Sequence, residues 1–484
     1  MKKRTKFTIF LATSLCILCF VCCTPNVPDE AEIVILSWND LHGNFEHLPK
    51  MAAFVKQTKA KYKRVIVVDA GDHFTGNPFN DFHRKKQYPI VDLLNHIGLQ
   101  VSVLGNHEFD FGVELLNERI ADAKNAVIAA NIDLQTSGLV GVKPYHIVNK
   151  KGIKVAFLGL TQVDRLIGKP STLAKHVENI QFFDPIETAI KYRALRTQAH
   201  VFVALTHIGI PVDLILADSM PELDLIIGGH SHAALKEPLI QNGVTITQAE
   251  RLGRYVGKTT IRLKKGVVTE VHNELICMVT WEGPVDSSIA RKIERYKKNP
   301  FLSTPFVTLQ YKIPTLTQLG HLMTDAALAL PNVDFSLMNC GGIRIQYLPA
   351  GAITYADILR LSPFGNYLMI IDLTPSEIRE LIEIEFTDRK NCLNIPAGFE
   401  YTARLMPDNT IKVERMTYPN GKELDENKRY TLALNNYLVT RYLTEYMDRA
   451  IYSGVYVVDN IVEFLKNNPN VDYQNMRDRA RFID

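Results

Sequence analysis

Between Ile33 and Ile227 the chain repeats one local pattern: a short run rich in Val, Ile and Leu that stops on an Asp, Asn or His beside Gly. The runs are Ile33–Trp38, Val65–Asp69, Val101–Leu104, Val155–Leu160, Val201–Thr206 and Leu225–Ile227. Runs this short and apolar read as strands buried on both faces. Helical signals separate them. Asp184-Pro185-Ile186-Glu187 offers an N-cap, a Pro at the first helical position and a capping Glu, and Asn95-His96-Ile97-Gly98 offers a terminating Gly. Strands alternating with helices predict an α/β layered domain.

The strand ends carry the chemistry. In order they read Asn39-Asp40-Leu41-His42-Gly43, Asp69-Ala70-Gly71-Asp72-His73, Gly105-Asn106-His107-Glu108-Phe109-Asp110, Thr206-His207-Ile208-Gly209 and Gly228-Gly229-His230-Ser231-His232. In open α/β sheets, ligands bind outside the carboxyl ends of the strands. Oxygen and imidazole donors without thiolate favour divalent ions of the Mn, Zn, Co or Fe class. Asp40, His42, Asp72, Asn106, His207, His230 and His232 are too many donors for one tetrahedral ion, but they suffice for two ions sharing a carboxylate. Such a pair clamps the attacking and leaving oxygens of a displacement at phosphorus. Taken singly, an Asp-x-His is more often a turn and Gly228-Gly229 a tight bend. Five such pieces at successive strand ends are not explained that way.

Near Trp281 the rhythm changes. Asp286 to Asn299 reads as one charged amphipathic helix with Ile289, Ile293 and Tyr296 on a face, a connector. Beyond it, Thr374-Pro375-Ser376-Glu377 caps another helix, and Glu400–Leu405, Lys412–Thr417 and Tyr430–Leu434 read as strands. A second, α+β domain is expected there.

The formal net charge of +3 is misleading, because Lys2, Lys3, Arg4 and Lys6 precede Cys23 with no acid among them. The remainder is close to neutral, so no nucleic-acid polymer is expected as partner. Those cations and the apolar stretch Phe7–Cys23 have the layout of a secretory signal. Residues 1–22 are expected to be cut and 23–31 to form a tether. The segment resembles a bacterial lipoprotein signal, which makes Cys23 the candidate lipidation site and the lipid the route to a membrane. Four of seven cysteines lie in this leader. Cys277, Cys340 and Cys392 remain; one bridge is possible, but three buried thiols is the favoured reading.

NDLHG, GDHFTG, GNHEFD, THIG and GGHSH in this order resemble the calcineurin-like metallophosphoesterases, and more narrowly the bacterial 5′-nucleotidase and UDP-sugar hydrolase family. Asn339-Cys340-Gly341-Gly342-Ile343-Arg344 and Pro363-Phe364-Gly365-Asn366 resemble that family's nucleotide-binding domain. The resemblance implies a four-layer α/β/β/α sandwich over 32–280, a linker helix within 281–300 and an α+β substrate-binding domain over 301–484. It implies one ion on Asp40, His42, Asp72 and His232 and a second on Asp72, Asn106, His207 and His230. His107 would be the catalytic histidine and Asp110 the acid that orients it. His73 and Glu108 are expected beside the cluster or at the surface, not in it. Arg344, Phe364, Asn366 and Tyr437 would bind substrate, with the two rings stacking a nucleobase; the plain alternative for both rings is core packing.

The implied activity is hydrolysis of nucleoside 5′-monophosphates, by in-line attack of a hydroxide held between the ions, in an exported protein of the bacterial cell envelope. A UDP-sugar, a 2′,3′-cyclic nucleotide or another phosphate ester are alternative substrates, and a nucleotide-binding surface lipoprotein with weak catalysis is an alternative function. Two departures bear on specificity. After the second ring the family generally carries Gly-Gly-Asp-Gly-aromatic, whose Asp can hold ribose, whereas this chain reads Val439-Thr440-Arg441-Tyr442-Leu443. No arginine lies between Arg295 and Arg344, where the family often places them.

Overall fold

The computed structural model describes residues 29–165, 167–389 and 392–483. The leader and Cys23 lie outside the described residues. Two sheets dominate the first half. Strands β1 (Glu30–Trp38), β2 (Val65–Asp69) and β3 (Val101–Val103) run parallel, side by side, in a seven-stranded sheet. Tyr255–Lys264 pairs antiparallel with the other side of β1. Strands β4 (Val201–His207) and β5 (Leu225–Ile227) are parallel neighbours in a six-stranded sheet.

Side-chain alternation along each strand sorts residues into layers. Ile33 and Ile35 of β1 share a buried cluster with Phe157, Val201, Val203 and Leu205 of the second sheet. Val34 and Leu36 belong instead to the cluster holding Met51, Val55, Ile90 and Leu94, on helices Leu48–Lys61 and Tyr88–Ile97. On the far side, Phe202 and Ala204 of β4 pack with Leu216 and Ala217 of helix Ile210–Ser219. The layers are therefore α/β/β/α, as the motifs imply. Both faces of these strands are covered, which is why their sequences read as continuous apolar runs.

The connector helix spans Ser287–Tyr296, ending three residues before the expected Asn299. Asp286 caps it, accepting from the backbone N–H of Ser288 at 2.9 Å and of Ile289 at 3.1 Å. Lys292 Nζ and Tyr296 Oη both reach Asp92 Oδ2, at 2.7 and 2.6 Å. The helix is thus fastened to the first half of the chain.

Beyond it a five-stranded sheet runs in the order Ile395–Ala397, Phe335–Met338, Tyr430–Asn435, Tyr367–Leu373, Ile451–Tyr456. A three-stranded sheet combines Ile411–Thr417, Glu400–Leu405 and Ala480–Ile483. Thr374 and Glu377 cap helix Pro375–Arg389 reciprocally: the Thr374 N–H donates to Glu377 Oε2 and the Glu377 N–H to Thr374 Oγ1. The expectation of three buried thiols is corrected here. Cys340 is bonded to Cys392 with Cα atoms 6.4 Å apart, and only Cys277 is a free, half-buried thiol among the described residues. The register explains it: Met338 pairs with Ile395, so the chain leaving one strand meets the chain entering the other. That long-range pairing leaves no trace in cysteine spacing.

Among the described residues, no helix is long and apolar enough to cross a membrane.

Candidate metal centre and nucleotide cleft

The turns after β1, β2, β4 and β5, with the turn after β3, converge. His232 Nε2 lies 3.2 Å from Asp40 Oδ1 and 3.1 Å from His42 Nε2. His207 Nε2 lies 3.0 Å from Asp72 Oδ2. His230 Nδ1 lies 3.1 Å from Asn106 Oδ1. The ligand atoms of Asp40, His42 and His232 form one tight group, and those of Asp72, His207 and His230 another. All seven predicted donors are therefore brought together.

The backbone bends hard to achieve this. Asp40, His42, Asp72, His230 and His232 all have positive φ, between 49° and 72°. Non-glycine residues in that region are strained, and such strain persists where surroundings enforce it, typically at functional sites. Glycine supplies room elsewhere: a Cβ on Gly105 would sit 2.1 Å from Asp72 Oδ1.

Three of the donors are aimed by their other polar atom. Asp40 Oδ2 accepts from Asn39 Nδ2 at 2.5 Å and from the His230 N–H at 3.0 Å, turning Oδ1 toward the imidazoles. His42 Nδ1 pairs with the Thr75 carbonyl at 3.2 Å and His207 Nδ1 with the Ala70 carbonyl at 2.7 Å. Both rings thereby present Nε2, the arrangement that orients metal-binding histidines.

The donor set fits divalent cations. Asp40 Oδ1 and His207 Nε2 are buried without a well-aligned hydrogen bond, a cost that divalent cations held by the cluster would remove. Burial alone would raise both carboxyls, but the surrounding imidazoles, His207 foremost, together outweigh it and hold Asp40 low and Asp72 well below the usual carboxylate range. Against the burial penalty, Asp72 and Asp40 push His207 up to about 10. The cluster attracts positive charge, for which a divalent ion competes with protons.

His107 sits at the rim on a 3₁₀ turn, His107–Phe109, and its Nδ1 lies 2.6 Å from Asp110 Oδ2. Its N–H donates to Asp72 Oδ1 at 2.9 Å. Burial would lower this imidazole, but Asp110 and Asp72 outweigh it and hold it above the ordinary value. Thr172 Oγ1 donates to the other Asp110 oxygen at 2.8 Å.

Glu108 falls beside the cluster, the first of the two places the sequence allowed it, but its role was not legible. It is 3% exposed, and its carboxylate accepts from the N–H groups of Gly105, Asp72, His73 and Phe74 at 2.6–3.2 Å. It is neither ligand nor surface; it ties the turn after β2 to the turn after β3. The four-residue contact is long-range on one side, so only its place beside His107 hinted at it. Ser171, Thr172 and Leu173, from an unpatterned loop, were missed too.

A cavity of about 500 Å³ joins this centre to the second half of the chain. Asp72, Asn106, His107, Asp110, His230 and His232 line one end, and Arg344, Phe364, Asn366 and Tyr437 the other. Phe364 lines the second-half end of this cavity. Its ring stacks on His107, centroids 5.5 Å apart and 15° from parallel, and Arg344 Cζ lies 5.3 Å from its centroid. Tyr437 packs on Tyr442 and Arg441. Arg441, in the stretch that departs from the family pattern, forms a buried ion pair across the cleft with Asp164.

This geometry is that of a two-domain metal-dependent phosphoric ester hydrolase. Residues 33–234 match the calcineurin-like phosphoesterase family and residues 304–442 the 5′-nucleotidase C-terminal domain, and the chain belongs to the 5′-nucleotidase family of metallophosphoesterases that combines them. It is 29% identical over 426 residues to the 5′-nucleotidase of Vibrio cholerae, covering 74% of this chain and 76% of that protein. It is 27% identical over 480 residues to the trifunctional nucleotide phosphoesterase protein YfkN of Bacillus subtilis, covering 86% of this chain but only 32% of that longer protein. The fold is shared with a crystal structure of the 5′-nucleotidase precursor from Thermus thermophilus, at a TM-score of 0.84, 23% identity and coverage of 94% of this chain and 100% of that one.

Proposed function

We propose that this chain is an exported phosphohydrolase that uses two divalent ions to release phosphate from nucleoside 5′-monophosphates. The observation that carries the reading is the single cavity with the Asp/His cluster at one end and Arg344, Phe364, Asn366 and Tyr437 at the other. Asp40, His42, Asp72 and His232 would hold one ion, and Asp72, Asn106, His207 and His230 the second, with Asp72 shared. When bound, the ions supply positive charge to the phosphoryl oxygens and acidify the attacking water. His107, charged by Asp110 beside it, stabilises phosphoryl or leaving-group oxygen. Arg344 offers a fork of donors to phosphate. Phe364 and Tyr437 hold the base, which fixes the ester for in-line attack. The catalytic unit would be 32–280 and the substrate-binding unit 301–484, joined through 281–300, with 1–22 removed and Cys23 carrying lipid.

Arg441 stands where the family's ribose-holding Asp is expected, and it is committed to Asp164. This favours a second reading, in which the same centre accepts several esters: a UDP-sugar, a cyclic nucleotide or another phosphate ester. A relative named as a trifunctional nucleotide phosphoesterase supports it. Purified protein assayed with Mn, Zn or Co against nucleoside monophosphates, UDP-glucose, 2′,3′-cyclic nucleotides and an aryl phosphate separates the two by relative kcat/KM. Metal-loaded protein that turns over none of these esters refutes both.

A further inference from the structure

Asn106 is a fourth donor whose other polar atom is engaged, and its partner lies in a loop outside the strand-end motifs. Asn106 Oδ1 meets His230 Nδ1, while its Nδ2 donates to the Ser171 carbonyl at 3.1 Å. A backbone carbonyl only accepts, so this contact decides which end of the amide faces the cluster. Without it the amide can turn over and offer N–H groups where a divalent ion needs oxygen. The next residue serves the other half of the centre. Thr172 Oγ1 donates to Asp110 Oδ1 at 2.8 Å, and Asp110 Oδ2 lies 2.6 Å from His107 Nδ1. With one carboxylate oxygen taken by the hydroxyl, the other is held toward the imidazole.

Two consecutive loop residues keep such a register only if the loop is rigid, and one buried side chain makes it so. Gln162 is 7% exposed, and its amide grips Ser171 at both ends. Its Oε1 accepts from the Ser171 N–H at 2.8 Å, and its Nε2 donates to Ser171 Oγ at 3.1 Å. The flanks are fastened independently. Asn131 exchanges two hydrogen bonds of 2.8 Å with the Thr161 backbone at the start of the loop. The Asp164 N–H donates to the Lys169 carbonyl at 2.9 Å, and Lys169 Nζ reaches the carbonyls of Val177 and Glu178 at 2.8 and 2.7 Å. The Asp164 carboxylate carries the buried ion pair with Arg441, so the loop is braced from both halves of the chain.

We infer that Gln162, Ser171 and Thr172 are positioning residues of the hydrolytic centre. Gln162 sets the Ser171 carbonyl that orients the Asn106 amide, and Thr172 sets the Asp110 carboxylate that orients His107. None of the three supplies a ligand atom or a proton. The inference rests on the reading of Asn106 as an ion ligand and of His107 as the catalytic histidine. Partners one step behind a metal ligand are worth about 10- to 100-fold in affinity or activity.

Calorimetric titration of the chelator-treated full chain with Mn tests the Asn106 arm without turnover. Gln162→Leu is expected to weaken one of the two ions about tenfold, and to add nothing in an Asn106→Ala background. Thr172→Val, which keeps the shape and removes the hydroxyl, tests the His107 arm. It is expected to lower kcat for phosphate-ester hydrolysis about tenfold with KM little changed, and Thr172→Ser to restore most of the loss. In an Asp110→Ala background Thr172→Val should cost nothing further, whereas a threonine that only stabilised its loop would cost the same in both. Wild type that takes up two ions but hydrolyses no ester would sink the phosphohydrolase reading, and the titration then decides the role of the loop alone. The inference is overturned if Gln162→Leu binds both ions as the wild type does, or if Thr172→Val keeps the wild-type kcat. It is overturned equally if either loss persists undiminished once Asn106 or Asp110 is gone.

Discussion

The ring of Phe364 lies parallel to the imidazole of His107, with centroids 5.5 Å apart, although the two belong to opposite halves of the chain. The proposed base-binding wall and the proposed hydrolytic centre therefore share one contact, and substitution at Phe364 reaches both. Base–aromatic stacking contributes about 1–3 kcal/mol. Phe364→Ala is expected to lower kcat/KM for a nucleoside monophosphate about 10- to 100-fold, and for a small aryl phosphate distinctly less. Equal losses on both substrates would assign Phe364 to positioning His107 and not to holding a base.

Asp72 occupies the middle of the cluster: His207 Nε2 lies 3.0 Å from Oδ2, and Oδ1 accepts from the His107 N–H. Asp72→Ala is expected to remove activity altogether and to halve or abolish bound metal measured by elemental analysis. Asn106→Ala, which touches only one proposed ion, should lose less metal. Full metal content in Asp72→Ala would refute the shared position.

Glu108 makes a structural prediction distinct from the catalytic ones. Its carboxylate serves four backbone N–H groups inside a buried turn. Glu108→Ala leaves those donors without an acceptor, which is expected to cost about 3–5 kcal/mol of stability. Thermal melts should show a fall of several degrees even in metal-free protein. An unchanged melting curve would mean that water replaces the carboxylate.

Away from the cleft, His321 has no exposed surface and neither ring nitrogen has a hydrogen-bond partner. Burial, and next the charge of Arg479, push it from 6.5 down to about 4. It is neutral in the fold, while the unfolded chain takes up a proton below about 6.5. Stability is therefore complete above that pH and declines as pH falls toward 4, by on the order of 3 kcal/mol. His321→Leu should flatten that segment of the melting temperature against pH. If the slope survives, other groups cause it.

Legibility in the sequence followed range. The runs ending in Asp69 and Ile227 end there in the structure, because burial on both faces writes itself into consecutive residues. The convergence of the seven candidate donors was legible because each stands at a strand end beside a Gly or another polar residue, a local signature. What joins distant segments was not: the Cys340–Cys392 bond comes from the Met338–Ile395 register, and the four N–H groups on Glu108 from two turns meeting. Thr172 was equally silent, a threonine in an unpatterned loop whose partner Asp110 lies far along the chain. Arg441 was noticed only as a departure, and its partner could not be read.

That partner gives the last prediction. The side chains of Arg441 and Asp164 are 4% and 8% exposed, and their ion pair crosses from the second half of the chain to the first. The helix Ser287–Tyr296 is fastened to the first half through Asp92, so any hinge lies beyond Tyr296. Breaking a buried pair is expensive, about 3–5 kcal/mol, because one charge is left without its partner. A chain able to open can avoid that cost by separating its halves and hydrating both groups. Arg441→Gln and Asp164→Asn are therefore each expected to favour an open form, with a larger radius of gyration by solution scattering. KM for nucleotide should rise about tenfold, and kcat at saturation should fall less, since substrate binding can restore closure. A double substitution should be no worse than either single one. Additive losses, or scattering identical to wild type, would show that the pair stabilises its two loops without governing closure.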